Sequence, residues 1–292
     1  MATEIVHNKK RHIDESESTD DTEILTKKQR LIEKSDLDFI QFLLCPEDLT
    51  TSFDITTDDP EVRAWLLVRF IGVADGVGGW AKKGIDSGKY SRELMENAES
   101  FIDKQKQEDK SSTANIDLIK VLNEAFLNTK AIGSSTACML KLADDTLHAV
   151  NVGDSGFVVI KDGVIVYKSE IQQSSFNRPF QLGNSKNSND PSVAEKISFP
   201  VKAGDIIVMG TDGLFDNVHD FELELVVNNG VDSWESDESE TLAWRIAQYA
   251  LENSKNTEIY TPFTRECSKA GFEQKGGKYD DITVIVAHIW PF

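Results

Sequence analysis

Positive charge is what this chain is shortest of. Its 292 residues carry 31 lysines and arginines against 50 aspartates and glutamates, a formal net charge of −19. A phosphate backbone demands a basic face, and the lysines here are scattered, so neither nucleic acid nor an anionic membrane surface is expected as a partner. Long apolar runs are missing as well, and none approaches the roughly 20 residues that a bilayer-spanning helix needs. Cysteine is scarce: Cys45, Cys138 and Cys267 lie far apart with no CxxC spacing, which fits reduced thiols inside a cell. The histidines (His7, His12, His148, His219 and His288) are dispersed without the spacing of zinc ligands. No repeat of fixed period is present.

Several catalytic loops are also absent. In Thr211-Asp212-Gly213-Leu-Phe-Asp216 the positions two before and two after Asp212 are Gly210 and Leu214. A covalent-aspartate phosphatase needs two acids spaced by two, one to attack and one to manage the leaving proton, so that mechanism fails. Gly84-Ile-Asp-Ser-Gly88-Lys89-Tyr90 is one residue short of a phosphate-binding Walker loop and ends on tyrosine in place of a small hydroxyl. Ser135 and Ser155 have no elbow or histidine arrangement to activate them. Gly276-Gly277-Lys278 reads as a plain turn.

What the chain does have is a repeated grammar of strand ends tipped with aspartate. The apolar run from Trp65 stops at Ala74-Asp75-Gly76-Val-Gly-Gly-Trp80, and Ile206–Met209 stops at Gly-Thr-Asp212-Gly213. Asp280-Asp281 stands at the head of Ile282–Ala287. Each Asp-Gly taken singly is a common turn signal, but three such ends predict one convergent acidic pocket. Like charges crowded together are costly to desolvate unless a cation sits among them. An all-oxygen donor set selects a hard ion, magnesium or manganese. The chemistry that suits such a site, with no protein nucleophile, is hydrolysis by metal-activated water, in which two ions about 3.5–4 Å apart act on a phosphoryl group.

In chain order, residues 1–35 are polar and charged, with an acidic run from Asp14 to Glu23, and read as a disordered tail. This tail has no apolar core of a secretory signal, and its acids do not fit a transit peptide. Lys9-Lys10-Arg11 and Lys27-Lys28-Gln29-Arg30 read either as a divided nuclear-import signal or as a solvated tail. The expected location is nucleus and cytosol, with plastid or mitochondrion as the alternative. Residues 36–292 form the expected single domain. Within it Ser91–Lys106 and Ile116–Lys130 carry apolar residues at helical spacing. Short runs at 134–142, 147–152, 156–160 and 164–167 are punctuated by Asp144-Asp145, Gly153-Asp154-Ser155 and Lys161-Asp162-Gly163, as in antiparallel hairpins. Strands near 197–201 and 206–209, helices near 221–227, 239–253 and 261–270, and a last strand complete an α+β pattern.

Five segments, Ala74–Trp80, Gly133-Ser-Ser-Thr-Ala137, Asn151-Val-Gly-Asp154-Ser-Gly156, Thr211–Asn217 and Asp280-Asp281-Ile-Thr283, resemble the ordered motifs of the metal-dependent protein phosphatase 2C family across residues 65–290. Gly-Val-Gly-Gly-Trp80, Phe180-Gln181-Leu182 and Tyr260-Thr-Pro262-Phe263 are most similar to its Ptc7-type branch, and Ser87–Met95 resembles plant members. The resemblance implies a four-layer α-β-β-α sandwich of two antiparallel sheets flanked by helices. It implies a monomeric serine/threonine phosphatase acting on phosphoproteins with two Mg2+ or Mn2+ ions and a weaker third. Asp75 would bridge the ions, the Gly76 carbonyl would bind one, and Asp212 and Asp280 would complete the other. Asp154, with Asp216 beside it, would serve the third, and Asp281 stands in the place of the family's asparagine. Three departures mark this chain. Val77 replaces a histidine proton donor; the upstream acids that support metal-bound waters are reduced to Asp58-Asp59 before Pro60; and Arg63 and Arg69 are the only candidates for binding phosphate. The alternative implied by those departures is a catalytically weak or inactive member acting as a binding module.

Overall fold

Alternation within the strands decides the layering. The computed structural model describes residues 2–8, 40–46, 68–108, 115–230 and 238–289. In chain order its first strands are β1 (Ala2–Asn8), β2 (Ile40–Pro46), β3 (Val68–Asp75), β4 (Ser134–Ser135), β5 (Ala137–Ala143), β6 (Thr146–Val152) and β7 (Gly156–Lys161). They are followed by β8 (Val164–Lys168), β9 (Gln173–Ser175), β10 (Arg178–Pro179), β11 (Leu182–Gly183), β12 (Glu195–Pro200), β13 (Ile206–Gly210) and β14 (Ile282–His288). The helices are α1 (Gly88–Glu108), α2 (Leu118–Asn128), α3 (Asp212–Phe215), α4 (Asp220–Gly230), α5 (Glu238–Lys255) and α6 (Pro262–Lys269).

Two five-stranded antiparallel sheets result, ordered β12-β6-β5-β3-β2 and β1-β14-β13-β7-β8. Within β3, Ile71 and Val73 point between the sheets while Phe70 and Ala74 point outward to α1 and α2. In β14 the same period of two sends Ile285 and Ala287 inward, and Ile282, Val284 and Val286 toward α3, α4 and α5. Both faces of both sheets are therefore covered, and the layers run helix, sheet, sheet, helix, as the expected sandwich requires. Among the described residues no helix is long and apolar enough to cross a membrane.

Side-chain caps set the starts of α1, α2 and α6. The Asp86 carboxylate accepts the Gly88 amide at 2.9 Å, which begins α1 three residues earlier than apolar periodicity predicts. From there Leu94, Met95, Ala98 and Ile102 are fully buried against the first sheet, each large side chain contributing about 1.5–3 kcal/mol. Asp117 caps α2 by accepting from the Ile119 amide at 3.0 Å. Thr261 and Thr264 form a capping box at α6 with Pro262 in the first turn. Two of the three hairpin signals hold, with Asp144 (φ 51°), Asp162 (φ 50°) and Gly163 (φ 80°) in the left-handed conformation that tight turns need, whereas at Gly153-Asp154-Ser155 the chain crosses from one sheet to the other and β6 does not pair with β7.

Two edges differ from the expectation. Residues 2–8, read as part of a disordered tail, form β1 and pair along β14 with Ile5 opposite Ile285. Ile40–Pro46 forms β2, which covers the outer edge of β3. Asp58, Asp59 and Arg63, and the rest of the tail, lie outside the described residues, and Arg69 is located only as a backbone position in β3.

Candidate metal centre

The acids arrive from both sheets at one end of the seam between them. Asp75 is the last residue of β3 in the first sheet. Asp212 opens α3 directly after β13, and Asp280 precedes β14, both in the second sheet. Asp154 occupies the turn where the chain passes from β6 to β7 and so from one sheet to the other. Asp216 caps the C-terminus of α3.

Main-chain contacts hold each acid in place. The Asp75 amide donates to Thr136 Oγ1 at 3.0 Å, and the Thr136 amide donates back to the Asp75 carbonyl at 2.9 Å. Thr136 Oγ1 also meets Ser155 Oγ at 2.7 Å, which ties the end of β3 to the Asp154 turn. The next residue must be glycine, because a Cβ on Gly76 would stand 2.1 Å from the Ser87 carbonyl oxygen. At the second strand end the same constraint recurs: a Cβ on Gly213 would stand 2.1 Å from the Asp281 carbonyl oxygen. That carbonyl accepts from Thr211 Oγ1 at 3.2 Å, so Asp281 takes part through its main chain. Farther round the rim, Trp80 Nε1 donates to Ser134 Oγ at 2.7 Å and fixes the Gly-rich loop.

The carboxylates lie close enough to raise one another's pKa. Burial holds the Asp75 carboxyl well above the usual range, and the charges of Asp212, Asp280 and Asp154 add to the effect. Asp154 is pushed up to about 8 by burial and then Asp212, against the opposing pull of Lys278. Burial raises Asp216 to about 6 despite Lys278. Asp280 is raised by burial and by Asp212.

The turn Gly276-Gly277-Lys278, which the sequence presents as plain punctuation, delivers a charged side chain to the centre that sequence reasoning misses. Lys278 Nζ contacts Asp212 Oδ2, lies 2.8 Å from Asp216 Oδ2 and 3.1 Å from Asp280 Oδ2. Burial works to discharge this ammonium, but the three aspartates outweigh it and raise its pKa. Asn217 fastens the turn: its Nδ2 donates to the Gly213 and Lys278 carbonyls at 2.9 and 2.8 Å, and its Oδ1 accepts the Lys278 amide at 2.9 Å. A lysine two residues before Asp280 was the available signal.

Among the described residues no three Asp, Glu, His or Cys side chains close on one point as ligands of a single ion. Asp212, Asp216 and Asp280 instead share the Lys278 ammonium, whose contacts are longer than the roughly 2.0–2.1 Å of magnesium ligation. The donor set nevertheless suits a hard divalent cation. It is all oxygen, it is crowded with acids of raised pKa, and Asp212 Oδ1 is buried with no hydrogen-bond partner. The structure thus brings together Asp75, Asp154, Asp212, Asp216 and Asp280, with Gly76 beside the first of them.

Comparison with known proteins places this arrangement. Residues 69–290 match the family of Stage II sporulation protein E (SpoIIE). The chain is 43% identical over 219 residues to "Probable protein phosphatase 2C 55" of Arabidopsis thaliana, covering 75% of this chain and 45% of that one. It is 36% identical over 233 residues to the human "Protein phosphatase PTC7 homolog", covering 74% of each. The solved structure of the photosystem II phosphatase PBCP superposes with a TM-score of 0.66 at 30% identity, over 75% of this chain and 87% of that one. The chain spans about half the length of two Arabidopsis relatives that it matches, phosphatases 2C 55 and 2C 80.

Proposed function

The chain belongs to the SpoIIE/protein phosphatase 2C family, and from that footing we propose that it hydrolyses phosphoserine and phosphothreonine in protein substrates with the help of divalent metal ions. The observation that carries the reading is the convergence of Asp75, at the end of β3 in one sheet, with Asp212, just after β13 of the other, where Asp212 Oδ1 is buried without a hydrogen-bond partner.

Asp75, the Gly76 carbonyl, Asp212 and Asp280 would hold a pair of Mg2+ or Mn2+ ions, and Asp154 with Asp216 a third, weaker one. Bound there, such ions lower the pKa of water and neutralise charge on a phosphoryl group. The protein's own part is positional. Thr136 grips both the amide and the carbonyl of Asp75, which fixes the main-chain point from which the carboxylate projects. The bare Cα of Gly76 admits the close approach of the Ser87 carbonyl, which any side chain would block. Val77 has no proton to give, so the departing serine or threonine oxygen takes its proton from solvent.

The test is hydrolysis of p-nitrophenyl phosphate, and of a phosphothreonine peptide, by purified protein in EDTA, Mg2+ and Mn2+. Metal-dependent turnover that disappears in Asp75→Asn and Asp212→Asn is expected. Turnover that survives EDTA or Asp75→Asn, or no turnover by a folded, manganese-saturated protein, would overturn the reading.

A further inference from the structure

We propose that Lys278 is an internal counter-ion that competes with the catalytic cation for the aspartates, so that loading the site exchanges an ammonium for a divalent metal. The inference rests on the metal-dependent reading above and gives a role to the one charged side chain which that reading leaves without one.

Its basis is geometric. An ammonium has three protons to donate and accepts none. Lys278 directs them to Asp212 Oδ2, to Asp216 Oδ2 at 2.8 Å and to Asp280 Oδ2 at 3.1 Å. Asp280 is engaged on both oxygens, since its Oδ1 accepts the Asp281 amide at 3.0 Å. Of the four oxygens on Asp212 and Asp280, the unclaimed one is Asp212 Oδ1. Magnesium needs carboxylate oxygens at about 2.0–2.1 Å in a near-octahedral array. A second cation set that close to oxygens already held by an ammonium meets direct repulsion. Metal and Lys278 therefore make rival claims on Asp212 and Asp280.

The main chain fixes the root of Lys278, while its tip is held by the aspartates. Asn217 clamps both the amide and the carbonyl of Lys278. One residue earlier, a Cβ on Gly277 would stand 2.0 Å from the Asn253 carbonyl oxygen, so that backbone is wedged against α5. The stem reaches from this root past the ring of Phe263, with Nζ 5.3 Å from its centroid. A four-carbon stem on a rigid root can withdraw its ammonium toward water with no change in the turn. Two consequences follow. Lys278 neutralises acids that would otherwise repel one another unpaired, and it holds metal affinity below what the acids alone would give.

The test uses the full chain. Manganese affinity is measured by calorimetry for wild type, Lys278→Met and Lys278→Arg, and acetylation of Lys278 by acetic anhydride is followed by mass spectrometry with and without Mn2+. Removing the competitor is expected to tighten manganese binding by about tenfold or more in Lys278→Met, with Lys278→Arg remaining near wild type. Acetylation of Lys278 in wild type is expected to rise several-fold when manganese is added. Manganese bound equally or more weakly by Lys278→Met would overturn the exchange. Should that variant not fold, labelling decides alone: a rate unchanged or lowered by manganese would overturn it. Wild-type protein that binds no manganese at all would defeat the metal-dependent reading itself, whereas binding that is indifferent to Lys278 defeats only the exchange.

Discussion

Thr136 and Asp75 hold each other by two main-chain hydrogen bonds, one into the threonine hydroxyl at 3.0 Å and one out of the threonine amide at 2.9 Å. The hydroxyl is also the link to Ser155, at 2.7 Å, so one side chain indexes two acid-bearing segments against each other. Thr136→Val keeps the shape and deletes the hydroxyl, leaving the Asp75 amide without its acceptor. A loss of about 1–3 kcal/mol in urea unfolding is expected, because an unsatisfied buried donor bears its full desolvation cost. Phosphatase activity should fall further than stability accounts for, and Thr136→Ser should restore most of both.

Gly76 and Gly78 stand two residues apart in one loop and should respond in opposite ways to alanine. A Cβ at Gly76 meets the Ser87 carbonyl oxygen at 2.1 Å, whereas a Cβ at Gly78 meets nothing within 4 Å. Gly76→Ala is expected to destabilise by about 1–3 kcal/mol or more and to abolish metal-dependent activity. Gly78→Ala should fold and turn over as wild type does. Thermal unfolding and p-nitrophenyl phosphate assays on the pair check this.

Metal should stabilise the protein more at alkaline pH than at acid pH. Asp154 and Asp216 have folded-state pKa values of about 8 and about 6, pushed up chiefly by burial, and Asp75 and Asp280 are raised as well. A carboxyl whose pKa is raised on folding keeps protons that the unfolded chain has already released. Its contribution therefore favours folding at low pH and is lost as pH rises from about 4 through about 8. In EDTA the melting temperature should decline across that window. Saturating Mn2+ binds the deprotonated acids of the folded state and should recover it, with a larger shift at pH 8.5 than at pH 5.5. An equal metal shift at both pH values would count against the cluster as the metal's binding place.

Glu99, on α1, gives a prediction unconnected with catalysis. Burial raises its pKa to about 7, and Asp103 and Glu96 on the same helix add to the shift against Lys106. The sign is that of any raised carboxyl: the penalty appears as pH climbs from about 4.5 to about 7 and is complete above it. Glu99→Gln should accordingly stabilise at pH 8 and change little at pH 4. Because the side chain is partly open to solvent, the gain is expected near 1 kcal/mol. Chemical denaturation at the two pH values measures it.

Much of this architecture is visible in the order of residues, for reasons of period and punctuation. Ile71, Val73, Ile285 and Ala287 alternate with outward neighbours, and Asp-Gly closes the strands that bear Asp75 and Asp212, so the acids can be placed at strand ends before any coordinates are seen. Position of that kind is local. Lys278 escapes notice because its partners Asp212 and Asp216 lie 66 and 62 residues away, and two glycines before it disguise it as an exposed turn. The first strand escapes for a related reason: Ala2–Asn8 sits in charged sequence, and only its pairing with β14 marks it as sheet. Asp281 adds a main-chain part that its residue type does not announce, its carbonyl accepting from Thr211 Oγ1. Asp58 and Asp59 lie outside the described residues.

The seam between the sheets has one more implication. Asp75 rides on one sheet and Asp212 and Asp280 on the other, and the layer of Ile71, Val73, Phe157, Ile207, Met209 and Ile285 keeps the two sheets in register. A cation gripped by all three aspartates would act like a rivet driven through both plates. Slippage of one sheet against the other, caused by a remote substitution such as Ile207→Ala, would then be felt first as a loosened rivet. Weakened metal binding would be the earliest symptom of a failing interior, detectable well before the protein unfolds.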